Sequence, residues 1–212
     1  MISKPDMSTR NDSDKNPIET QPVSIGFLLS GGGRTLENLL HAIQEQSIPA
    51  TVQLVIASKA EIGGIDKAVA AGIPYQIHPC KTVEDSPAIF SALEESGCQY
   101  AILGGWLRKL SIPQGWKNRV INIHPSLLPL HGGKGCYGDR VHRRVIDAGE
   151  TESGCTVHFV DDEYDRGPII LQEQVPVLEE DDVASLSQRV FAAEKTALPK
   201  AVAALVKGEL SS

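Results

Sequence analysis

Asn122 and His124 stand two residues apart in Ile121-Asn122-Ile123-His124-Pro125-Ser126-Leu127-Leu128-Pro129. In a strand, alternation sends Asn122 and His124 to one face and Ile121 and Ile123 to the other. Pro125 cannot donate to a sheet ladder, so the strand is expected to stop there with both polar groups at its carboxyl end. In open α/β sheets that edge is where ligands bind. An amide that donates and an imidazole near neutral pKa together suit the oxyanion and proton movements of acyl transfer. A histidine merely satisfied by hydrogen bonds at a strand end is the common alternative.

Two further stretches carry polar chemistry. Ser30-Gly31-Gly32-Gly33 leads into Arg34 and Thr35 where a first strand feeds a first helix, so backbone N–H groups, a guanidinium and a hydroxyl converge as they would on a phosphomonoester. Leu36 occupies the place of the third glycine in Gly-x-Gly-x-x-Gly, and the Lys-Ser/Thr ending of a nucleoside-triphosphate loop is missing. A tight turn needing glycine torsions is an equally good reading. The acidic run Asp161-Asp162-Glu163-Tyr164-Asp165-Arg166-Gly167-Pro168 lacks the glycine and glutamate register of an EF-hand, so no metal is expected. Most acidic loops are simply solvated, but an aspartate here would orient or charge-balance His124 if the fold joins the two.

The elements that must position these groups alternate. Val23 to Leu29, Val52 to Ala57, Pro74 to His78, Tyr100 to Leu103 and Val120 to Ile123 read as strands, with helices over Leu36 to Ile43, Ile65 to Ala71 and Ala88 to Glu95 between them. That order predicts an α/β fold: one mostly parallel twisted sheet with helices on both faces. After Pro129 come a glycine-rich loop, a helix near Arg140 to Ala148, strands Cys155 to Phe159 and Ile169 to Val177 suited to antiparallel pairing, and a last helix over Val183 to Val206.

At 212 residues, 41% hydrophobic and 22% charged, the chain can bury a full core, and no apolar run reaches membrane-spanning length. A net charge of -7 argues against broad contact with nucleic acid. Cys80, Cys98, Cys136 and Cys155 form no Cys-x-x-Cys pair and read as packing residues in a reduced, cytoplasmic compartment. Met1 to about Gln21 is polar, lacks the apolar core of a secretory signal and is expected to be a disordered tail.

Asn122 to Pro129, then Gly154-Cys155-Thr156-Val157-His158-Phe159-Val160, then Asp165-Arg166-Gly167-Pro168-Ile169-Ile170-Leu171-Gln172, in that order, closely resemble the phosphoribosylglycinamide formyltransferases. The resemblance runs from Ile25 to Glu194 and the final helix; it leaves residues 1–22 outside and makes 23–212 a single formyltransferase domain of Rossmann-like fold. The Asn-x-His with a distant Asp is shared by folate-dependent formyltransferases and hydrolases, so it marks the superfamily, while the glycine loop and chain length narrow it. The resemblance implies formyl transfer from 10-formyltetrahydrofolate, as co-substrate, to the amine of 5-phosphoribosylglycinamide in purine synthesis, with no metal, nucleic acid or membrane involved.

By that analogy Asn122, His124 and Asp165 are catalytic, with Asp165 keeping His124 charged. The family pattern places the substrate phosphate at Gly33, Arg34 and Thr35 and its polar glycinamide or ribose end at Glu194. Leu107, Arg108, Lys109, Leu110, Asn122, Asp161, Asp162, Glu163, Tyr164 and Asp165 would border the folate. Three departures stand out. Gly32 and Thr35 replace frequent asparagines, no arginine lies between Lys81 and Arg108 to hold the folate tail, and Leu130 to Val141 is long, with Lys134 or Arg140 available to a phosphate. Rival readings are a formyltetrahydrofolate hydrolase, for whose usual regulatory domain residues 1 to 22 are too few, a methionyl-tRNA formyltransferase, which needs a further C-terminal domain and a basic surface, and a catalytically idle folate or sugar-phosphate binding module. Oligomeric state is not legible.

Overall fold

The computed structural model describes residues 21–210, so the expected N-terminal tail lies almost entirely outside the described residues. Seven strands form one sheet: β1 (Val23–Leu29), β2 (Ala50–Ala57), β3 (Tyr75–Ile77), β4 (Tyr100–Leu103), β5 (Val120–His124), β6 (Glu152–Phe159) and β7 (Ile169–Pro176). Their order across the sheet is β3-β2-β1-β4-β5-β6-β7. Pairings among the first five are parallel, while β5–β6 and β6–β7 are antiparallel. The helices are α1 (Arg34–Glu45), α2 (Gly63–Ala70), α3 (Ser86–Glu95), α4 (Asp139–Asp147) and α5 (Val183–Val206). None is long and apolar enough to cross a membrane.

Strand alternation divides the core in two. On β1, Ile25, Phe27 and Leu29 join one cluster with Leu36 and Leu39 of α1 and Leu186, Val190 and Leu198 of α5. Leu28 joins the opposite cluster with Ile89 and Leu93 of α3 and the fully buried Trp116. Helices therefore cover both faces, as α/β alternation requires. Ile121 and Ile123 belong to the first cluster and Val120 to the second, so Asn122 and His124 lie on the α3 side of the sheet.

The chain leaves β1 for β2 on one side and returns as β4 on the other, which opens a crevice at the carboxyl ends of β1, β4 and β5. Ser30 ties these ends together: its N–H donates to the Gly105 carbonyl at 3.0 Å, and its hydroxyl accepts from Leu107 N–H at 3.1 Å and from the Ser58 hydroxyl at 2.8 Å. Gly63 and Gly64 fall inside α2 rather than before it. The reason is proximity: a Cβ on Gly64 would sit 2.5 Å from Leu29 Cδ1 and 3.0 Å from the Gly31 carbonyl oxygen. Pro199 interrupts α5 and leaves the Lys195 carbonyl without its intrahelical donor, and Asn38 of α1 supplies a side-chain N–H there at 3.3 Å.

Candidate active site

Strand β5 runs one residue further than expected, to His124, because β6 pairs with it antiparallel. The register sets Asn122 opposite His158 and His124 opposite Thr156. Four polar side chains thus share one face at the strand ends, while Cys155, Val157 and Phe159 turn into the core. Thr156, fully buried, braces the segment after Pro125. Its hydroxyl donates to the Ser126 carbonyl at 2.7 Å and accepts from Leu128 N–H at 3.0 Å and from the Gln172 amide at 2.9 Å.

Asp165 reaches this face from the loop between β6 and β7. Its Oδ2 accepts from Gly133 N–H at 2.8 Å and lies 3.6 Å from His124 Nδ1. Its Oδ1 lies 3.5 Å from Asn122 Nδ2 and 3.8 Å from His158 Nε2. One carboxylate therefore faces an amide and two imidazoles, and it holds this place with a positive φ of 55°.

Hydrogen bonds assign the tautomers. His124 Nε2–H donates to the His131 carbonyl at 3.1 Å, which leaves the Nδ1 lone pair facing Asp165. His158 Nδ1–H donates to the Phe159 carbonyl at 2.8 Å, so its bare Nε2 accepts one N–H of Asn122 at 3.1 Å. The second Asn122 N–H points at Asp165 only at the long limit of a hydrogen bond.

Burial pushes the His124 pKa below the ordinary imidazole value, outweighing the opposing pull of Asp165 and the His131 carbonyl. His158 shifts the same way, again chiefly from burial. Asp165 opposes that shift without overcoming it, because desolvation of a nearly enclosed ring exceeds the attraction of a carboxylate 3.6 Å away. Glu194 on α5 is pushed up to about 7 by burial, against the charge of Arg34.

These groups line one cavity of about 540 Å³. Arg34, Thr35, Glu194, Leu107, Arg108, Lys109, Leu110, Asp161, Glu163 and Tyr164 line it together with Asn122, His124 and Asp165. Gly33 and Asp162 do not. Gly33 instead caps α1 with φ 72° and packs so closely that a Cβ would come within 2.6 Å of Gly64 Cα. Lys134 and Arg140 of the long loop and α4 also reach the wall. Sequence reasoning missed His158, although its place two residues after Thr156 on a strand was a usable signal. It also missed His142 of α4, a buried cavity-wall ring whose Nδ1 has no partner among the described residues. All four cysteines are free and buried, and burial pushes the Cys98 and Cys155 thiols up to about 11 and about 12.

A parallel sheet turned antiparallel at one edge, with an amide, an imidazole and a carboxylate meeting at its strand ends, is the architecture of a formyl transferase. The chain belongs to that family, whose model matches residues 23–202. It is 40% identical over 197 residues to the trifunctional purine biosynthetic protein adenosine-3 of Homo sapiens, an alignment covering 90% of this chain and 19% of that protein. It is 32% identical to the chloroplastic phosphoribosylglycinamide formyltransferase of Arabidopsis thaliana, covering 91% and 68%. Glycinamide ribonucleotide transformylase 1 from Symbiobacterium toebii superposes with a TM-score of 0.83 at 34% identity, over 91% of each chain. The chain spans a fifth or less of the trifunctional relatives it matches.

Proposed function

We propose that this chain transfers the formyl group of 10-formyltetrahydrofolate to the amine of 5-phosphoribosylglycinamide, a step of de novo purine biosynthesis, in the cytoplasm. The observation that carries the reading is Asp165 meeting both Asn122 and His124 at the wall of the shared cavity. Family membership narrows the transferred group to formyl, and relatives named for this reaction narrow the acceptor.

The amine lone pair attacks the formyl carbon, and the carbonyl electrons move onto oxygen. The second N–H of Asn122, engaged only in a long contact with Asp165, donates to that oxyanion. Neutral His124, with its Nδ1 lone pair exposed towards Asp165, takes the proton that the attacking nitrogen sheds. The resulting imidazolium is stabilised by the carboxylate and returns the proton to the folate nitrogen as the carbon–nitrogen bond breaks. The proton gained and the proton lost balance, and His124 ends neutral. His158 holds the Asn122 amide in place.

In this reading Arg34 and Thr35 take the phosphate, and Glu194, its pKa raised to about 7 by burial, pairs with the ribose or glycinamide end. Leu107 to Leu110, Asn122 and the Asp161 to Asp165 loop flank the folate. Holding both substrates in one cavity removes much of the entropy cost of their encounter. A formyl-transfer assay run with and without the amine tests the reading. Folate product formed only with the amine supports it; equal release without the amine makes the chain a hydrolase, and folate binding without either reaction makes it a binding module.

A further inference from the structure

Arg140, Arg143 and Arg144 lie at i, i+3 and i+4 on α4 and share its outer face, opposite the buried Val141, His142 and Val145. With Arg34 at the start of α1 they line a groove between α4 and the beginning of α5 that adjoins the main cavity and shares Arg34, Asp139, Arg140 and Ser187 with it; Arg143 and Arg144 belong to the groove alone. Like charges at this spacing repel. None of the four arginines forms an ion pair among the described residues, on a chain that carries an excess of acidic groups.

What they do contact leaves their hydrogen-bond donors largely unspent. The Arg34 guanidinium stacks 4.4 Å over the Phe191 ring, and that of Arg140 lies 4.9 Å over Tyr137. An aromatic face fixes a guanidinium's plane without engaging the N–H groups at its edge, which are the groups that chelate phosphate oxygens. Arg144 donates one N–H to Cys136 Sγ, and Arg143 makes no side-chain hydrogen bond among the described residues. Three carboxylates also border the groove. Asp181 is already paired with Arg189, which leaves Asp139 and the α5-capping Asp182 as the opposing charges against four guanidinium groups.

We propose that this groove is an anion site for a phosphate-bearing small molecule, centred on Arg143 and Arg144 and adjoining the phosphate position at the glycine loop, with which it shares Arg34. Three donor forks on one helix and a fourth facing them match the several oxygens of a diphosphate better than a single carboxylate. Its test needs no turnover and so stands or falls apart from the formyl-transfer reading.

Inorganic pyrophosphate is titrated calorimetrically into the full chain, and into Arg143→Gln/Arg144→Gln and Lys207→Gln variants whose thermal midpoints match the parent. The groove predicts saturable binding to the parent, at least tenfold weaker in the double variant and unchanged in Lys207→Gln. Absence of binding to the parent, equal affinity in the double variant, or equal weakening by Lys207→Gln each overturns it, the last because the attraction would then be one of net charge alone.

Discussion

Gly133 donates its backbone N–H to Asp165 Oδ2 at 2.8 Å, two residues along from the His131 carbonyl that accepts from His124. The loop after Pro129 is thereby built into the candidate catalytic face: through backbone atoms alone it grips both the carboxylate and the imidazole. The spacing between Asp165 and His124 is thus a property of the loop as much as of the strands.

His124→Ala is expected to lower kcat by roughly 10²–10⁴-fold, the range for loss of a positioned acid–base group, with little change in folate affinity. Steady-state kinetics alongside equilibrium folate binding separates the two. Matching losses in both would show that His124 only shapes the pocket.

Asp165→Asn removes a charge that favours the imidazolium, so the already depressed His124 pKa is expected to fall further. The acid limb of the kcat/KM profile then moves to lower pH while kcat drops. A limb that moved upward would place the titrating group elsewhere.

Glu194 holds its proton in the folded chain up to about pH 7, while an unfolded glutamate releases it near 4.5. The folded state binds more protons through that window, so this group's contribution is full below the unfolded value and is lost as pH rises through 7. Glu194→Gln does not titrate. Its stability relative to the parent is expected to rise by on the order of 2 kcal/mol between pH 4.5 and 7.5 in denaturant titrations. A flat difference would mean that Glu194 ionises normally. His124 and His158 act in the other direction: their lowered pKa values remove stability as pH falls below the ordinary imidazole range.

Thr156→Val keeps the shape of a fully buried side chain but leaves Leu128 N–H without its acceptor and deprives the Ser126 carbonyl of a donor. A loss of about 2–3 kcal/mol in unfolding free energy is expected. Because the same hydroxyl braces the segment following His124, kcat should fall too. Unaltered stability would imply that water replaces the hydroxyl.

Much of the fold was legible because hydrophobic period and glycine position are local signals. Val23 to Leu29 announced a buried strand, and alternation alone placed Asn122 and His124 on one face away from Ile121 and Ile123. Gly63 and Gly64 were less legible. Glycine reads as a breaker, whereas here Gly64 serves a close approach of α2 to Leu29, a contact between segments far apart in the chain.

By itself the sequence determined the kinds of group available and the strand ends that carry them, since side-chain alternation and the missing N–H of proline act within a few residues. Only the tertiary structure decided who meets whom. His158 joined the site through antiparallel pairing across 36 residues, Asp165 through a loop 43 residues from Asn122, and the His131 carbonyl through a backbone turn without a residue-type signature. It also decided the direction in which the His124 pKa moves. Burial and a neighbouring carboxylate pull its pKa in opposite directions, and which prevails depends on enclosure and distance, quantities that exist only once the chain has folded.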